Sequence, residues 1–447
     1  MEATYVLGDI ARRDPPLQVE ALPKPRSVHW SSRDIYPARL CYGKRLRGIT
    51  FVDIWSEFGI DYEVEVPSLA DQVAYTRFPM WVINPLLLQT IVSGFELWRS
   101  HERFVGAFSF PFHMRRLSFS GTVPAEGSKL KCYMRLTGVT PKSHQVDIAV
   151  SDGNGMELLH ISGWEELTER VPNEYRSLIM QPAMSFLTSP LNAELLGNPS
   201  TDTASALVTD VPYSIFERNE ELWLRMLSRV VLSASERKAF LEMTGSTSRR
   251  TEWLFGRIAA KECVRRYLKD YYQARWSNAD IEIWADDLGK PHALGAWHQY
   301  LTTKIDIAIA HTAQFVVALA AANARIGVDA ESVLRDLSDE FTNGVFTPEE
   351  QELAAQAVNP SQAIIKFWCA KEAVSKALGT GIRYSPKEMI VHDYQADSGR
   401  LIMRLEGAWL DAFKVFKGRD IVVTVKTVHD HALASCFIPL ALFGDEE

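Results

Sequence analysis

The sequence predicts an α+β protein: a sheet-rich first part, then two halves that each read as helices followed by an antiparallel sheet. Three observations lead there. The 447 residues are 47% hydrophobic and 23% charged, an ordinary globular composition with length for two or three domains. Between Arg33 and Val171 most segments carry the two-residue alternation of strands, around one long apolar stretch. From Leu207 the pattern turns to helices followed by strands, over 207–325 and again over 326–447.

The elements follow in order. Residues 1–32, with Pro15, Pro16, Pro23 and Pro25, read as a tail or linker end. In the 33–171 part, "GIDYEVEVP" alternates as a half-buried strand, and "NPLLLQTIVSGFELW" has the length of a central helix. "KLKCYMRLTGV", "HQVDIAVSD" and "ELLHISGWEELTERV" follow as strands, with a hairpin turn at Asp152-Gly153-Asn154-Gly155. Residues 172–206, with Pro182, Pro190 and Pro199, show no period and read as an interdomain connection. "ERKAFLEM" and "TEWLFGRIAAKECVRRYLKDYY" are helical. "IEIWADDLGKPH" is a strand running into a turn, and "KIDIAIAHTAQFVVALAA" is two strands joined at His311-Thr312. Two helices between Thr347 and Leu378 precede the strands "MIVHDY", "RLIMRLEG", "DIVVTVKTVHD" and "ALASCFIPL". No short repeat or low-complexity tract stands out.

Composition narrows the function. A net charge of −8 supplies no basic field for nucleic acid or an anionic membrane. Cys41, Cys132, Cys263, Cys369 and Cys436 are scattered, without a CxxC pair or a zinc-site spacing, as expected of reduced thiols in a cytoplasmic protein. The opening "MEATYVLGDIARRDPPLQ" lacks the apolar core of a signal peptide, and "FVVALAAANA" is too short to span a membrane.

The chemistry lies in the second half. "IGVDAES" sets Asp329 and Glu331 two apart at a strand end, so both carboxylates point to one face. Hard oxygen donors in that arrangement suit Mg²⁺ together with substrate phosphates. Asp329 as a turn cap is the plainer alternative. About forty residues later comes "FWCAKEAVSKALG", in which Trp368, Glu372 and Lys376 share a helix face. Glu372 there is either a third metal ligand or a general base, with Lys376 beside it; the same spacing also makes an ordinary surface ion pair. Upstream, "DDLGKPH" places Lys290 in a turn and "AIAHT" places His311 at a strand end. Arg237, Lys238, Arg249, Arg250, Arg257, Lys261, Arg265 and Arg266 crowd into thirty residues. Such a cluster is usually a solvated face, and it is also what a polyphosphate requires.

The ordered set "GKP", "AHT", "IGVDAES" and "FWCAKEAVSKALG" resembles the 4′-phosphopantetheinyl transferases of the surfactin-synthetase-activating type. Their signature pairs GVDxE with a later WxxKEAxxK. The resemblance covers roughly 207–440 and implies a pseudo-dimer of two similar α+β halves, with coenzyme A in the cleft between them. It implies Asp329, Glu331 and Glu372 as Mg²⁺ carboxylates and Lys376 near the pyrophosphate. Lys371 is a further charge on that helix. The resemblance implies Lys290 and His311 as holders of the coenzyme A phosphates, His311 at the 3′-phosphate, with Arg250 and Arg257 as additional contacts. Ala310 departs from the serine many members carry before the histidine; Thr312 is a substitute hydroxyl. The implied reaction moves phosphopantetheine from coenzyme A to a serine of an apo acyl carrier protein and releases 3′,5′-ADP, in polyketide or fatty acid synthesis. The basic stretch 249–266, with Arg265 and Arg266, is an expected contact for an acidic carrier.

Residues 33–171 resemble the second hotdog of polyketide synthase dehydratases through "YGKRLRGI", "FPMWVINPLLLQTI", "FPFHMRRLSFSG" and "SDGNGMELLHISGWEEL". The central helix of that family reads HPxLLDxxxQ or a close variant. Here Gln89 stands at the aspartate position and Ser93 at the Gln or His position, so an inactive, single hotdog-like domain is expected. His101 and His113 are expected to be structural. The resemblance implies a homodimer through this domain and a place at the C-terminal end of a larger synthase, with Met1 either a natural start or a boundary. Two other functions compete: a dehydratase or other thioester-processing enzyme, and a non-catalytic module that binds carrier proteins.

Overall fold

The computed structural model describes residues 17–444 apart from 37, 41, 71–80, 102–106, 171–172, 198, 200–201, 210, 212–215, 217–221 and 313–314. Two compact units divide the chain, Met1–Gln181 and Pro182–Glu447.

The N-terminal unit is one antiparallel sheet around a helix. Its strands are β1 (Arg26–Ser31), β2 (Ile49–Ser56), β3 (Gly59–Glu65), β4 (Ala107–Phe119), β5 (Lys129–Val139), β6 (Ser143–Ser151) and β7 (Glu157–Arg170), in the spatial order β1-β2-β3-β5-β6-β7-β4. Helices α1 (Ser32–Ile35), α2 (Pro85–Arg99) and α3 (Asn173–Met180) complete it. The Asn84 side chain accepts from the Leu86 and Leu87 N–H groups at 3.0 and 3.3 Å, and Pro85 sits where its missing N–H costs nothing, so α2 starts there. Gly94 lets α2 close on the sheet: a Cβ there would lie 2.2 Å from the Tyr62 ring. Ile91, Phe95 and Trp98 are buried against Ile60, Met134, Ile148 and Ile161. A sheet wrapped on one central helix is the hotdog arrangement the sequence predicted.

The expected tail is a correction. Residues 26–31 form edge strand β1, paired with β2, because Trp30 buries its ring while its neighbours stay half-wet. Residues 1–16, and Cys41, lie outside the described residues. The 172–206 connection also holds regular structure: α3, a 3₁₀ turn at Ala193–Leu196 capped by Asn192, and the start of strand β8 (Thr203–Thr209). Residues 182–206 belong to the second unit.

That unit runs through one sequence of elements twice. The first pass is β8, α4 (Leu222–Val231), α5 (Ala234–Glu242), α6 (Thr247–Tyr272), β9 (Glu282–Ala285), β10 (Pro291–Leu294), β11 (Ile305–His311) and β12 (Phe315–Ala322). The second is β13 (Ala324–Ser332), α7 (Asp339–Val345), α8 (Pro348–Ala355), α9 (Pro360–Leu378), β14 (Met389–Gln395), β15 (Arg400–Leu405), α10 (Gly407–Ala412), β16 (Ile421–Val428) and β17 (His431–Pro439). Sheet order is β11-β12-β8 in the first half, with β9 and β10 as a separate hairpin, and β13-β17-β16-β15-β14 in the second. All eight residues of β12 are buried, which explains an apolar run without alternation. Ala308, Phe315, Val317, Ile326, Val328 and Leu433 form one core between the halves.

The duplication reaches individual side chains. "AKECVRRYL" (Ala260–Leu268) on α6 recurs as "AKEAVSKAL" (Ala370–Leu378) on α9. Lys261 donates to Glu236, the N3 residue of α5, and to the Val231 and Asn278 carbonyls at 2.8 and 3.2 Å. Lys371 donates to Glu350, the N3 residue of α8, at 2.9 Å, and to the Val345 and Pro386 carbonyls at 3.1 and 2.9 Å. Each glutamate also completes a capping box and accepts from a strand N–H, Ile283 of β9 or Val391 of β14.

Candidate active site

Strand β13 carries Asp329 and Glu331 opposite Ala434 and Ala432 of β17, with both side chains half-buried. Helix α9 lies across it because Gly327 has no side chain: a Cβ would stand 1.8 Å from the Ala373 carbonyl oxygen. That close approach brings the Lys376 ammonium 2.7 Å from Asp329 Oδ1. Glu372, one turn back on α9, shares the face. Burial raises its carboxyl pKa and the Asp329 charge raises it further, while Lys376 opposes both. Cys369, another turn back, is fully buried and its thiol is pushed up by burial and by the same aspartate. The group therefore sets a carboxyl of raised pKa beside a fixed cation.

Glu331 is turned elsewhere. Its Oε2 accepts from Arg335 and its Oε1 from the Ser332 N–H at 3.0 Å. Among the described residues no group of three or more His, Cys, Asp or Glu side chains is placed as a metal cage. The donor chemistry nevertheless fits Mg²⁺, which takes one or two carboxylates and completes its shell with water and phosphate. Asp329 and Glu372 are close enough to repel, and a divalent cation relieves that repulsion. Asp329 and Glu372 would hold the ion.

The remaining expected contacts divide. Lys290 pairs with Asp306 at 2.8 Å, and the same carboxylate accepts from the Ile326 N–H at 2.7 Å, so a first-half lysine is tied to the start of β13. Its side chain also reaches Gly379 at the end of α9. His311 is exposed at the end of β11. Lys371 is a correction: it is fully buried against Glu350, so its ammonium supports the α8–α9 packing and cannot meet a phosphate. Arg250 lies over Phe240 and Arg257 over Trp253, with Arg257 Nε 3.7 Å from Glu236; these contacts are with α5 and α6, not with the Asp329 group.

Within the basic stretch 249–266, Arg249 is exposed, while Arg265 and Arg266 are held by the protein itself. Arg265 is 2% exposed and donates to the Trp276 carbonyl and Asn278, and Arg266 donates to the Thr188 carbonyl; both cations stack on Phe186. Arg265 is internal, and Arg266 is half-buried with its guanidinium engaged by Thr188.

The duplication shows a residue set that motif reading missed. Glu262 on α6 corresponds to Glu372, and Arg266 to Lys376. Glu262 is completely buried and accepts from the Leu187 and Thr188 N–H groups, the Thr188 hydroxyl at 2.8 Å and Asn278. The chain thus fills the first copy with its own segment, and in the second copy Glu372 faces Asp329 and Lys376. His431 was also missed. Its ring stacks on Phe315, with centroids 4.8 Å apart, and its Nε2 lies 3.0 Å from the Thr312 hydroxyl.

In the hotdog unit, Gln89 and Ser93 bond to each other: Gln89 Nε2 donates to Ser93 Oγ at 3.3 Å, and Ser93 Oγ donates to the Gln89 carbonyl at 2.6 Å. His101 packs edge-on to Trp30 and Trp55, and His113 is exposed on β4. The thiols of Cys132, Cys263, Cys369 and Cys436 are free and buried.

The duplicated α+β unit thus brings Asp329, Glu372 and Lys376 together across one strand–helix contact. Residues 325–435 match the family model of the 4′-phosphopantetheinyl transferase superfamily, and residues 11–168 that of the polyketide synthase dehydratase N-terminal domain. The second description is of the family's N-terminal domain, where the motifs pointed to its second hotdog. The holo-[acyl-carrier-protein] synthase of Cereibacter sphaeroides (strain ATCC 17029 / ATH 2.4.9) is 38% identical over 112 residues, 24% of this chain and 80% of that protein. The holo-[acyl-carrier-protein] synthase of Jannaschia sp. (strain CCS1) is 35% identical over 123 residues, 26% of this chain and 79% of that protein. The chain belongs to the 4′-phosphopantetheinyl transferase superfamily.

Among solved structures, a holo-(acyl-carrier-protein) synthase from Bacillus anthracis str. Ames, in complex with CoA (3′,5′-ADP), is 24% identical with a TM-score of 0.22, covering 27% of this chain and 95% of that one. The dehydratase domain from the CurJ module of curacin polyketide synthase is 16% identical with a TM-score of 0.24, covering 31% of this chain and 47% of that one. The chain thus spans about half the length of that dehydratase.

Proposed function

We propose that the C-terminal unit transfers 4′-phosphopantetheine from coenzyme A to a serine of an apo acyl or peptidyl carrier protein, releases 3′,5′-ADP, and serves polyketide or fatty acid synthesis in the cytoplasm. The observation that carries this reading is the meeting of Asp329, Glu372 and Lys376 across the β13–α9 contact, beside a first copy that the chain has closed. Family membership supports it, as do the holo-[acyl-carrier-protein] synthase names of the relatives. Among the described residues no helix is long and apolar enough to cross a membrane.

In the reaction the serine oxygen bonds to the β-phosphorus of coenzyme A and the bridging phosphoanhydride bond breaks. Glu372 takes the serine proton. Lys376, held by Asp329, places positive charge where the leaving phosphate gains negative charge. Lys290 and His311 orient coenzyme A through its phosphates, His311 at the 3′-phosphate. Mg²⁺, when bound by Asp329 and Glu372, supplies charge neutralisation at the pyrophosphate.

The hotdog unit is a non-catalytic appendage in this reading. Gln89 and Ser93 offer no carboxylic acid. The apolar cavity beside Asn84, Leu87 and Ile91 holds about 70 Å³, against roughly 300 Å³ or more for a ligand pocket. The unit is a dimer contact or scaffold, and pairing of two copies through it makes the protein a homodimer.

Intact-mass spectrometry of an apo acyl carrier protein incubated with the protein, coenzyme A and Mg²⁺ tests the proposal. A gain of one phosphopantetheine with wild type, lost with Glu372→Gln and without metal, is expected. No gain across several carriers, despite coenzyme A binding, would sink the transferase reading in favour of a carrier-binding module.

A further inference from the structure

The first half contributes the end of β11 to the site, and the second half contributes β13. Something must hold those two strands in register if a ligand is to touch both. Thr312 follows His311 directly, and its N–H donates to the Phe315 carbonyl at 2.7 Å, which ties the ends of β11 and β12 together. His431 meets both of these residues. It shares a hydrogen bond of 3.0 Å with the Thr312 hydroxyl, and its ring lies nearly parallel to that of Phe315, with 12° between the planes. At the same time its backbone is opposite Ser332 in the β13–β17 ladder, next to the Glu331 pair. One side chain on β17 therefore ties the turn beside His311 to the strand that pairs with β13.

We infer that His431 is a positioning residue: it fixes the His311–Thr312 end of β11 against the carboxylate strand, and so sets the distance between the coenzyme A phosphate subsite and the reacting centre. The inference rests on the proposed role of His311 at the 3′-phosphate. At the other end of β11, Asp306 accepts from the Ile326 N–H of β13 at 2.7 Å; at the His311 end the side-chain tie is the one from His431 to Thr312. Thr312 is half-buried toward His431, and His311 stays exposed for a ligand. Loss of the His431 bond leaves β11 in place through its ladder with β12 but frees its end.

The test uses the full-length protein with Mg²⁺ and apo acyl carrier protein, and compares coenzyme A with 3′-dephospho-coenzyme A as donor. His431→Phe keeps the stack on Phe315 and removes the hydrogen bond; Thr312→Val removes the same bond from the other side. Each is expected to raise KM for coenzyme A by about three- to tenfold, the effect of one lost hydrogen bond, with kcat within about twofold. The double variant should be no worse than either single one. His431→Gln, which returns a polar nitrogen near the Nε2 position, should recover most of the loss. With 3′-dephospho-coenzyme A all of these proteins should have equal KM. His311→Ala, run alongside, must also lose its preference for coenzyme A over the dephospho form. If His311→Ala loses that preference while His431→Phe and Thr312→Val keep it, the positioning role is overturned and the role of His311 stands. If His311→Ala keeps the preference, both readings fall together.

Discussion

Gly327→Ala puts one methyl group where strand β13 and helix α9 touch. The added Cβ would stand 1.8 Å from the Ala373 carbonyl oxygen and 2.7 Å from the Ala377 nitrogen. Non-bonded heavy atoms settle at roughly 3.5 Å, so strand and helix must part by about 1.5 Å. Both colliding atoms are backbone, in the middle of a fully buried helix face, and no side-chain rotation relieves them. Overpacking of this kind costs about 1–3 kcal/mol, and the absence of a soft partner puts this site at or above the upper end. The same retreat pulls Asp329 away from Glu372 and Lys376, and a misplacement of about 1 Å costs roughly 100-fold in rate. Chemical denaturation reads the first effect, and the rate of carrier modification in the fraction that stays folded reads the second. Gly344→Ala in α7 is the control: a Cβ there meets nothing within 4 Å, and stability should hold or rise slightly. A Gly327→Ala protein with an unchanged denaturation midpoint and a rate within threefold of wild type would refute the claim that this contact builds the site.

Three other outcomes follow from the same geometry. Lys371→Met strands the Glu350 carboxylate in the core and should cost about 3–5 kcal/mol, less when Glu350→Gln is added; Lys376→Met should cost under about 1 kcal/mol but abolish carrier modification, both read by denaturation and mass spectrometry. Thr188→Ala removes a hydroxyl bond to the buried Glu262 carboxylate and should destabilise by about 1.5–3 kcal/mol with kcat/KM within twofold; a large loss of rate without loss of stability would mean that the first copy of the site is active. Glu166 is buried in the hotdog sheet, and burial pushes its pKa up to about 8. The folded state therefore keeps a proton that the unfolded chain releases above roughly pH 4.3, so this stabilisation is complete below that pH and is lost as pH rises through 8. Glu166→Gln should flatten the decline of hotdog stability between pH 5 and 8 by on the order of 4 kcal/mol, measured by urea titration at each pH.

The meeting of Asp329, Glu372 and Lys376 in the candidate site was legible in the chain. Asp329 and Glu331 are two apart on a strand, and Trp368, Glu372 and Lys376 are four apart on a helix; these short periods decide which side chains share a face before any packing exists. The hotdog helix was equally plain, since "NPLLLQTIVSGFELW" is long and apolar enough for a central helix. The repeat of "AKE" with valine and leucine at matching places was present too, but only the shared Lys–Glu networks show that two helices with different neighbours are copies.

What the chain alone determined were the local periodicities, the ordered motifs and the identities of the groups able to do the chemistry. Tertiary structure decided which of those groups are free to act. Lys371 and Lys376 are both lysines on α9, five positions apart, and their fates differ because Glu350 lies under one and Asp329 under the other. Glu262 and Glu372 occupy the same place in two copies of one fold, yet Leu187 and Thr188, some 75 residues away in sequence, saturate the first. Residues 26–31 became a strand because β2 offered an edge, despite the prolines around them. The physical reason is common to all three: burial of a charge or an unpaired backbone group is settled by its partner, and a partner distant in sequence leaves no periodic trace at the site itself.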